Sequence, residues 1–229
     1  MDYSEPKTVL MSRTVYLKIS IAFISACFIE CSGKTETRNL PYYNTADFSP
    51  QFLSSTKEIK EKITHTIPSF SFTDQNGKQV TDRKIEGKIH IANFIFTSCI
   101  SICPVMTKHM KLIQKQFYNN PEVVMLSFSV TPWIDNVKRL HQFAVQNQIT
   151  VPNWHLLTGS TSQIYTLARK SYFAEEDLGF TKDSTQFLHT EHIILVDKHR
   201  RIRGIYNGTL ELEVQQLSAD IGQLLKESY

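Results

Sequence analysis

Apolar positions along the chain fall into short unbroken runs, separated by stretches whose apolar residues recur at helical spacing. "KIHIANFIF" (Lys88–Phe96) and "EVVMLSFSV" (Glu122–Val130) are nearly continuous apolar runs of strand length, the pattern of strands covered on both faces. "NWHLLTG" (Asn153–Gly159) predicts a third such strand. "HIILVD" followed by "RIRGIYNG" predicts a hairpin. Upstream, "SFSFTDQNGKQV" places apolar residues on either side of Asn76-Gly77, a strong hairpin signal. Between the strands, Val105, Met106, Met110, Ile113 and Phe117 keep a helical period. Asp135 can cap a helix carrying Val137, Leu140, Phe143 and Ala144. "SQIYTLARKSY" predicts a third helix and the segment from Thr209 to the C-terminus a final amphipathic one.

Strand and helix alternate through the body, and a hairpin and a helix close it. That order predicts an α/β fold: a central mixed sheet flanked by helices, with an N-terminal hairpin extension. Chemistry in open α/β sheets collects at the carboxyl ends of strands. "FTSCISICPVM" (Phe96–Met106) stands at such a point, where the first central strand gives way to its helix.

The N-terminus has a different pattern. In "MSRTVYLKISIAFISACFIECSGK", basic Arg13 and Lys18 precede an apolar run from Ile19 and then small residues, the order of an export signal. The run to Ile29 is shorter than the roughly 18–20 residues that cross a bilayer as a helix, which disfavours a permanent transmembrane anchor. "ISAC" (Ile24–Cys27) resembles the lipobox of bacterial lipoproteins, in which the cysteine is lipidated; Met11 is then a plausible start. The expected division is 1–26 export signal of lipoprotein type, 27–43 flexible polar tether, and 44–229 folded domain. The domain would face the oxidising cell envelope, on the periplasmic side of a membrane.

Composition narrows the class without naming a function. The chain is 41% hydrophobic and 21% charged, with a formal charge of +3. It has the apolar content for a core of ordinary size, and its charge points to neither nucleic acid nor a strongly charged small-molecule substrate. Four cysteines are too few and too uneven for a disulfide-built miniature fold. The cluster Lys198, His199, Arg200, Arg201 and Arg203 reads as a solvated hairpin turn rather than a nucleic-acid patch. Arg200 stands where a turn calls for positive φ, which predicts a wider turn or some strain.

The candidate chemistry lies in Cys99 and Cys103. Pro104 suits the first position of a helix, which puts Cys103 at the cap and Cys99 in the loop before it. The positive end of the helix favours thiolate. Such a pair can close as a disulfide or grip a soft metal. An inert bridge across so short a loop would stabilise little.

Taken together, "FIFTSCISICPVM", "IPSFSFTDQNGK" upstream, and "FLHTEHIILVD" with "RIRGIYNGT" downstream resemble the Sco/SenC family of copper-binding thioredoxin-like proteins, over roughly Leu40 to the C-terminus. The resemblance implies a thioredoxin-like fold and a copper site of Cys99, Cys103 and His189. It also implies a copper chaperone, more than an enzyme, serving the CuA centre of cytochrome c oxidase (subunit II as acceptor). Thiol-disulfide reduction of an acceptor's cysteines and copper or redox sensing are the alternatives. Two thiolates and an imidazole suit Cu(I), while Cu(II) needs an added oxygen ligand or water; structural zinc prefers four closed ligands. If Thr190–Asp197 is extended, His189 and His192 point to opposite faces, which leaves His192 packed or solvated. The remaining histidines read as ordinary surface or packing residues.

Two features depart from related patterns. General disulfide exchangers carry Cys-x-x-Cys and a proline facing the pair; here the spacing is longer, no proline follows Pro152, and His189 takes the slot before the late strand. Many Sco/SenC members have Asp-Pro after the second strand, whereas this chain has Thr131-Pro132 and keeps Asp135 just beyond.

Overall fold

The computed structural model describes residues 39–150, 152–174 and 190–227. Cys27, Cys31 and His189 lie outside them, as does the apolar run from Ile19. Among the described residues no helix is long and apolar enough to cross a membrane.

The strands are β1 (Tyr42–Tyr43), β2 (Pro50–Gln51), β3 (Ser71–Asp74), β4 (Gln79–Thr81), β5 (Ile89–Ile95), β6 (Val123–Ser129), β7 (Trp154–Thr158), β8 (His192–Val196) and β9 (Ile202–Asn207). They form one sheet in the order β2-β1-β9-β8-β5-β6-β7-β3-β4. β5, β6 and β7 are mutually parallel, and the other pairs are antiparallel. The helices are α1 (Thr56–Lys62), α2 (Ile102–Gln116), α3 (Val137–Gln146), α4 (Thr161–Thr166, continued by a π turn over Leu167–Ser171) and α5 (Glu211–Leu224). This is the expected mixed sheet flanked by helices.

Why these runs become central strands is visible in their burial. Every residue of β5 and of β6 is buried. On one face Ile89, Ile91, Met125, Leu156, Ile193 and Leu195 meet Met106, Met110 and Ile113 of α2 and Leu217 and Ile221 of α5. On the other, Ala92, Phe94, Leu126, Phe128, Ile194 and Val196 meet Phe70, Phe72 and Tyr172. Each Val, Leu, Ile, Phe or Met side chain among them contributes about 1.5–3 kcal/mol when fully buried. Polar residues inside the runs are paired: Ser127 donates to Asn93 Oδ1 at 2.6 Å and Trp154 Nε1 donates to Ser127 at 2.9 Å.

The turns follow local chemistry. Gly77 takes φ +72° after Asn76, whose N–H donates to Asp74 Oδ1. Arg200 does adopt positive φ, at 64°, and its guanidinium donates to Asp82 at 3.0 Å, so an ion pair holds the strained residue. Lys198 is engaged in the same way by Glu122. Arg203, expected on the solvated turn, is instead a buried residue of β9 paired with Glu227, because its guanidinium finds carboxylate and carbonyl partners there.

One expected boundary shifts. The sequence pattern extends the tether through Tyr43, yet Leu40 and Tyr42 are buried and β1 pairs with β9. Apolar Leu40 and Tyr42 cover the end of the core, and Arg203 donates to the carbonyls of Leu40 and Pro41. Two-residue strands leave no periodic trace in a sequence.

Candidate metal centre

Cys99 and Cys103 sit where β5 ends and α2 begins, at the carboxyl end of the parallel strands. Both thiols are free; Cys103 is buried and Cys99 partly so. The helix starts earlier than expected. Ser101 is its N-cap, Cys103 lies inside the first turn, and Pro104 is the third helical residue rather than the first. A proline is tolerated there because none of the first four amides has an intrahelical acceptor to lose.

The Ser101 side chain makes no capping bond. The sulfur of Cys99 takes that place: the Cys103 N–H donates to it at 3.5 Å. The two thiols differ as a result. Partial burial of Cys99 opposes ionisation, but the amides of Cys103, Ser101 and Ile102, together with the Cys103 side chain, outweigh it and hold this thiol below the usual range. Burial pushes Cys103 up to about 12, with Cys99 and the Asp135 carboxylate adding to the rise against a backbone contact at Phe96. The pair is therefore an outer thiol that ionises more readily than usual beside an inner thiol that holds its proton.

Behind the pair stands a fully buried carboxylate, Asp135. It does not cap α3 as expected; Asn136 does, accepting the Arg139 N–H. Asp135 is turned inward instead. It accepts from the N–H of Thr97 at 3.1 Å, and from the hydroxyls of Thr97 at 2.5 Å, Ser129 at 2.7 Å and Thr131 at 3.0 Å. Thr131, the departure from the Asp-Pro pattern, thus completes the shell of Asp135 rather than adding a second negative charge. Arg139 closes the group, at 3.4 Å from Asp135 and within hydrogen-bond reach of Thr97 and Ser98. Thr97 and Ser98 lie within the cysteine stretch itself, but no local pattern marks Arg139 as part of the site.

His192 is not brought to the cysteines. It shares its sheet face with Ile194 and Val196, and its ring packs on Phe48 at 5.8 Å, whereas Cys103 packs with Ile193 and Leu195. The other described histidines play structural or surface parts. His90 meets Tyr172 and His109 meets the Gly208 carbonyl. His155 meets Asp74, and His65 stacks on Phe173. Among the described residues no group of three or more His, Cys, Asp or Glu side chains could hold a metal ion. What they supply is two sulfurs at a partly exposed loop, a donor set whose softness fits Cu(I).

A family model described as SCO1/SenC matches residues 59–226. Among solved structures, a SCO1/SenC family lipoprotein from Bacillus anthracis str. Ames is 28% identical with a TM-score of 0.62, covering 72% of this chain and 97% of that one. BsSco, a member of the Sco family of cytochrome c oxidase assembly proteins in which a disulfide switch was identified, is 30% identical with a TM-score of 0.60, covering 72% and 95%. Bradyrhizobium japonicum ScoI with copper bound is 25% identical with a TM-score of 0.55, covering 69% and 99%.

Proposed function

The chain belongs to the SCO1/SenC family, and from that premise we propose that it binds copper as cargo and hands it to the CuA centre of cytochrome c oxidase during assembly. Cys99 and Cys103 serve as thiolate ligands, and His189 supplies the imidazole. The observation that carries this reading is the free Cys99–Cys103 pair, held at a helix start with the sulfur of Cys99 on the amide of Cys103. The site is partly exposed, as a donor that passes its metal onward requires. Cys103 must lose its proton when metal binds, so loading releases protons and weakens with acid. Lipidation at Cys27 would tether the domain to a membrane, with the site facing the periplasm.

The unequal thiols favour a second reading, thiol-disulfide reduction of the acceptor. The Cys99 thiolate attacks a partner disulfide and forms a mixed disulfide. Cys103 then loses its proton and attacks the Cys99 sulfur, leaving the partner as a dithiol and the pair as a disulfide. Two electrons pass from this pair to the partner, and nothing else is consumed.

One experiment separates the two: titrate the anaerobically reduced full chain with Cu(I) against a competing chelator, then add a cysteine-rich acceptor in its reduced or its disulfide form. The expected outcome is one Cu(I) per chain and transfer to the reduced acceptor. Cys99→Ser or Cys103→Ser should lose most of the affinity, and His189→Ala should weaken it. Retained affinity in either cysteine variant, or the His189→Ala loss reproduced by His192→Ala, overturns the ligand assignment. Reduction of the disulfide acceptor by metal-free protein, with no Cu(I) bound, moves the reading to the reductase.

A further inference from the structure

We propose that Arg139 is a positioning residue that holds the cysteine loop in its ligand-ready shape; the inference rests on reading Cys99 and Cys103 as the working pair. Its guanidinium spans two consecutive loop residues, Nε donating to Thr97 Oγ1 at 2.5 Å and Nη2 to Ser98 Oγ at 2.9 Å. Nε is also 3.4 Å from Asp135 Oδ1. Thr97 is bound from the other side as well, through its N–H and hydroxyl to Asp135. Beyond Ser98, the backbone of the loop is tied by the Cys99 N–H on the Phe96 carbonyl and then by the start of α2.

The loop is therefore held just ahead of Cys99 by a side chain from α3, a separate element. Two ligands that must close on one ion bind more weakly when the segment carrying one of them is free, because its conformational freedom is lost on binding. The Arg139 side chain is 44% exposed, so this tie is at the surface and its removal leaves the core packing intact. The buried Asp135 keeps its hydroxyl and amide donors when the arginine is gone.

The test compares the full chain with Arg139→Gln and Arg139→Lys, by amide hydrogen exchange in the reduced state and by Cu(I) competition. In Arg139→Gln, exchange at residues 97–103 should quicken about tenfold while exchange in β5 stays as it was, and Cu(I) affinity should fall about tenfold. Arg139→Lys, with one ammonium in place of a fork, should fall between. Unchanged exchange in the loop, or equal acceleration in β5, overturns the proposal, the second because it makes Arg139 a general stabilising residue. If native chain and variants alike bind no Cu(I), the reading of the site fails, and the exchange ratio still decides whether Arg139 holds the loop.

Discussion

Asp135 and Asp197 are both fully buried, lie at opposite ends of the same sheet, and are stabilised by different means. Asp135 follows β6, at the cysteine end. Asp197 follows β8, which runs antiparallel to β5, and so lies at the other end. The first is surrounded by hydroxyls and one amide, with a half-exposed arginine at its edge. The second accepts the amides of His199 and Arg201 and faces Arg203, which is 3% exposed. Arg203 also forks onto Glu227, donates to the carbonyls of Leu40 and Pro41, and lies 4.0 Å over the Tyr42 ring. Burial raises the Asp197 carboxyl despite the Arg201 amide and Arg203 beside it. The contrast has a physical logic. A charge network that joins N-terminal segment, sheet and C-terminal tail permanently can be buried but for its Glu227 edge, which is 25% exposed, whereas one that steadies a reactive loop is built from short hydroxyls and a cation still in contact with water.

The sharpest way to break this comparison is Arg203→Leu. The substitution leaves Asp197 and Glu227 without their common partner, and loss of one member of a buried ion pair costs about 3–5 kcal/mol. Urea unfolding should show that loss, with the Leu40–Tyr43 segment exposed to protease first. A loss below about 1 kcal/mol, the level of a surface pair, would erase the distinction between the two ends.

Acid should act on the same end. His90 pairs with Val196 across β5 and β8, and burial, with the Arg200 charge adding, lowers its pKa from 6.5 to about 3. Between those values the unfolded chain holds a proton that the folded chain does not. Stability from this group is complete above pH 6.5 and falls with acid by about 1.4 kcal/mol per pH unit until pH nears 3. His90→Gln should flatten the acid limb of a stability–pH curve. An unchanged limb would mean that His90 titrates normally.

How much of this was readable beforehand follows from the range of each interaction. The central strands were legible because β5 and β6 are buried on both faces, which requires continuous apolar runs. Asn76-Gly77 and Arg200 were legible because turn geometry is decided within four residues. The cysteine pair stood out because strand end, paired sulfurs and proline are adjacent in the chain. Arg139 and Arg203 were not legible as parts of networks: their partners lie 42 and 163 positions away, at Thr97 and Leu40, and no local period encodes such a contact. Asp135 misled for the same reason. Its position before a helix fits a cap, and only the folded chain shows Asn136 in that place, with Asp135 turned toward three hydroxyls.

The smallest expected stability change, and the finest test of the contrast, is Asp135→Asn. The amide has nearly the shape of the carboxylate, and the hydroxyls of Thr97, Ser129 and Thr131 can rotate to accept as well as donate. The cost should be about 1–3 kcal/mol, that of weakened buried hydrogen bonds, and below that of Arg203→Leu. The chemical effect should exceed the structural one. Burial is the main reason that Cys103 is raised to about 12, but Asp135 contributes, so its neutralisation should bring this thiol down. Thiolate absorbance across an alkaline titration reads the change directly, in a background of Cys27→Ser, Cys31→Ser and Cys99→Ser that isolates Cys103. A Cys103 that titrates at an unchanged or higher pH would show that the buried charge is screened from the pair. Asp135 would then act on the site only through the loop it holds, and the two ends of the sheet would differ in mechanics alone.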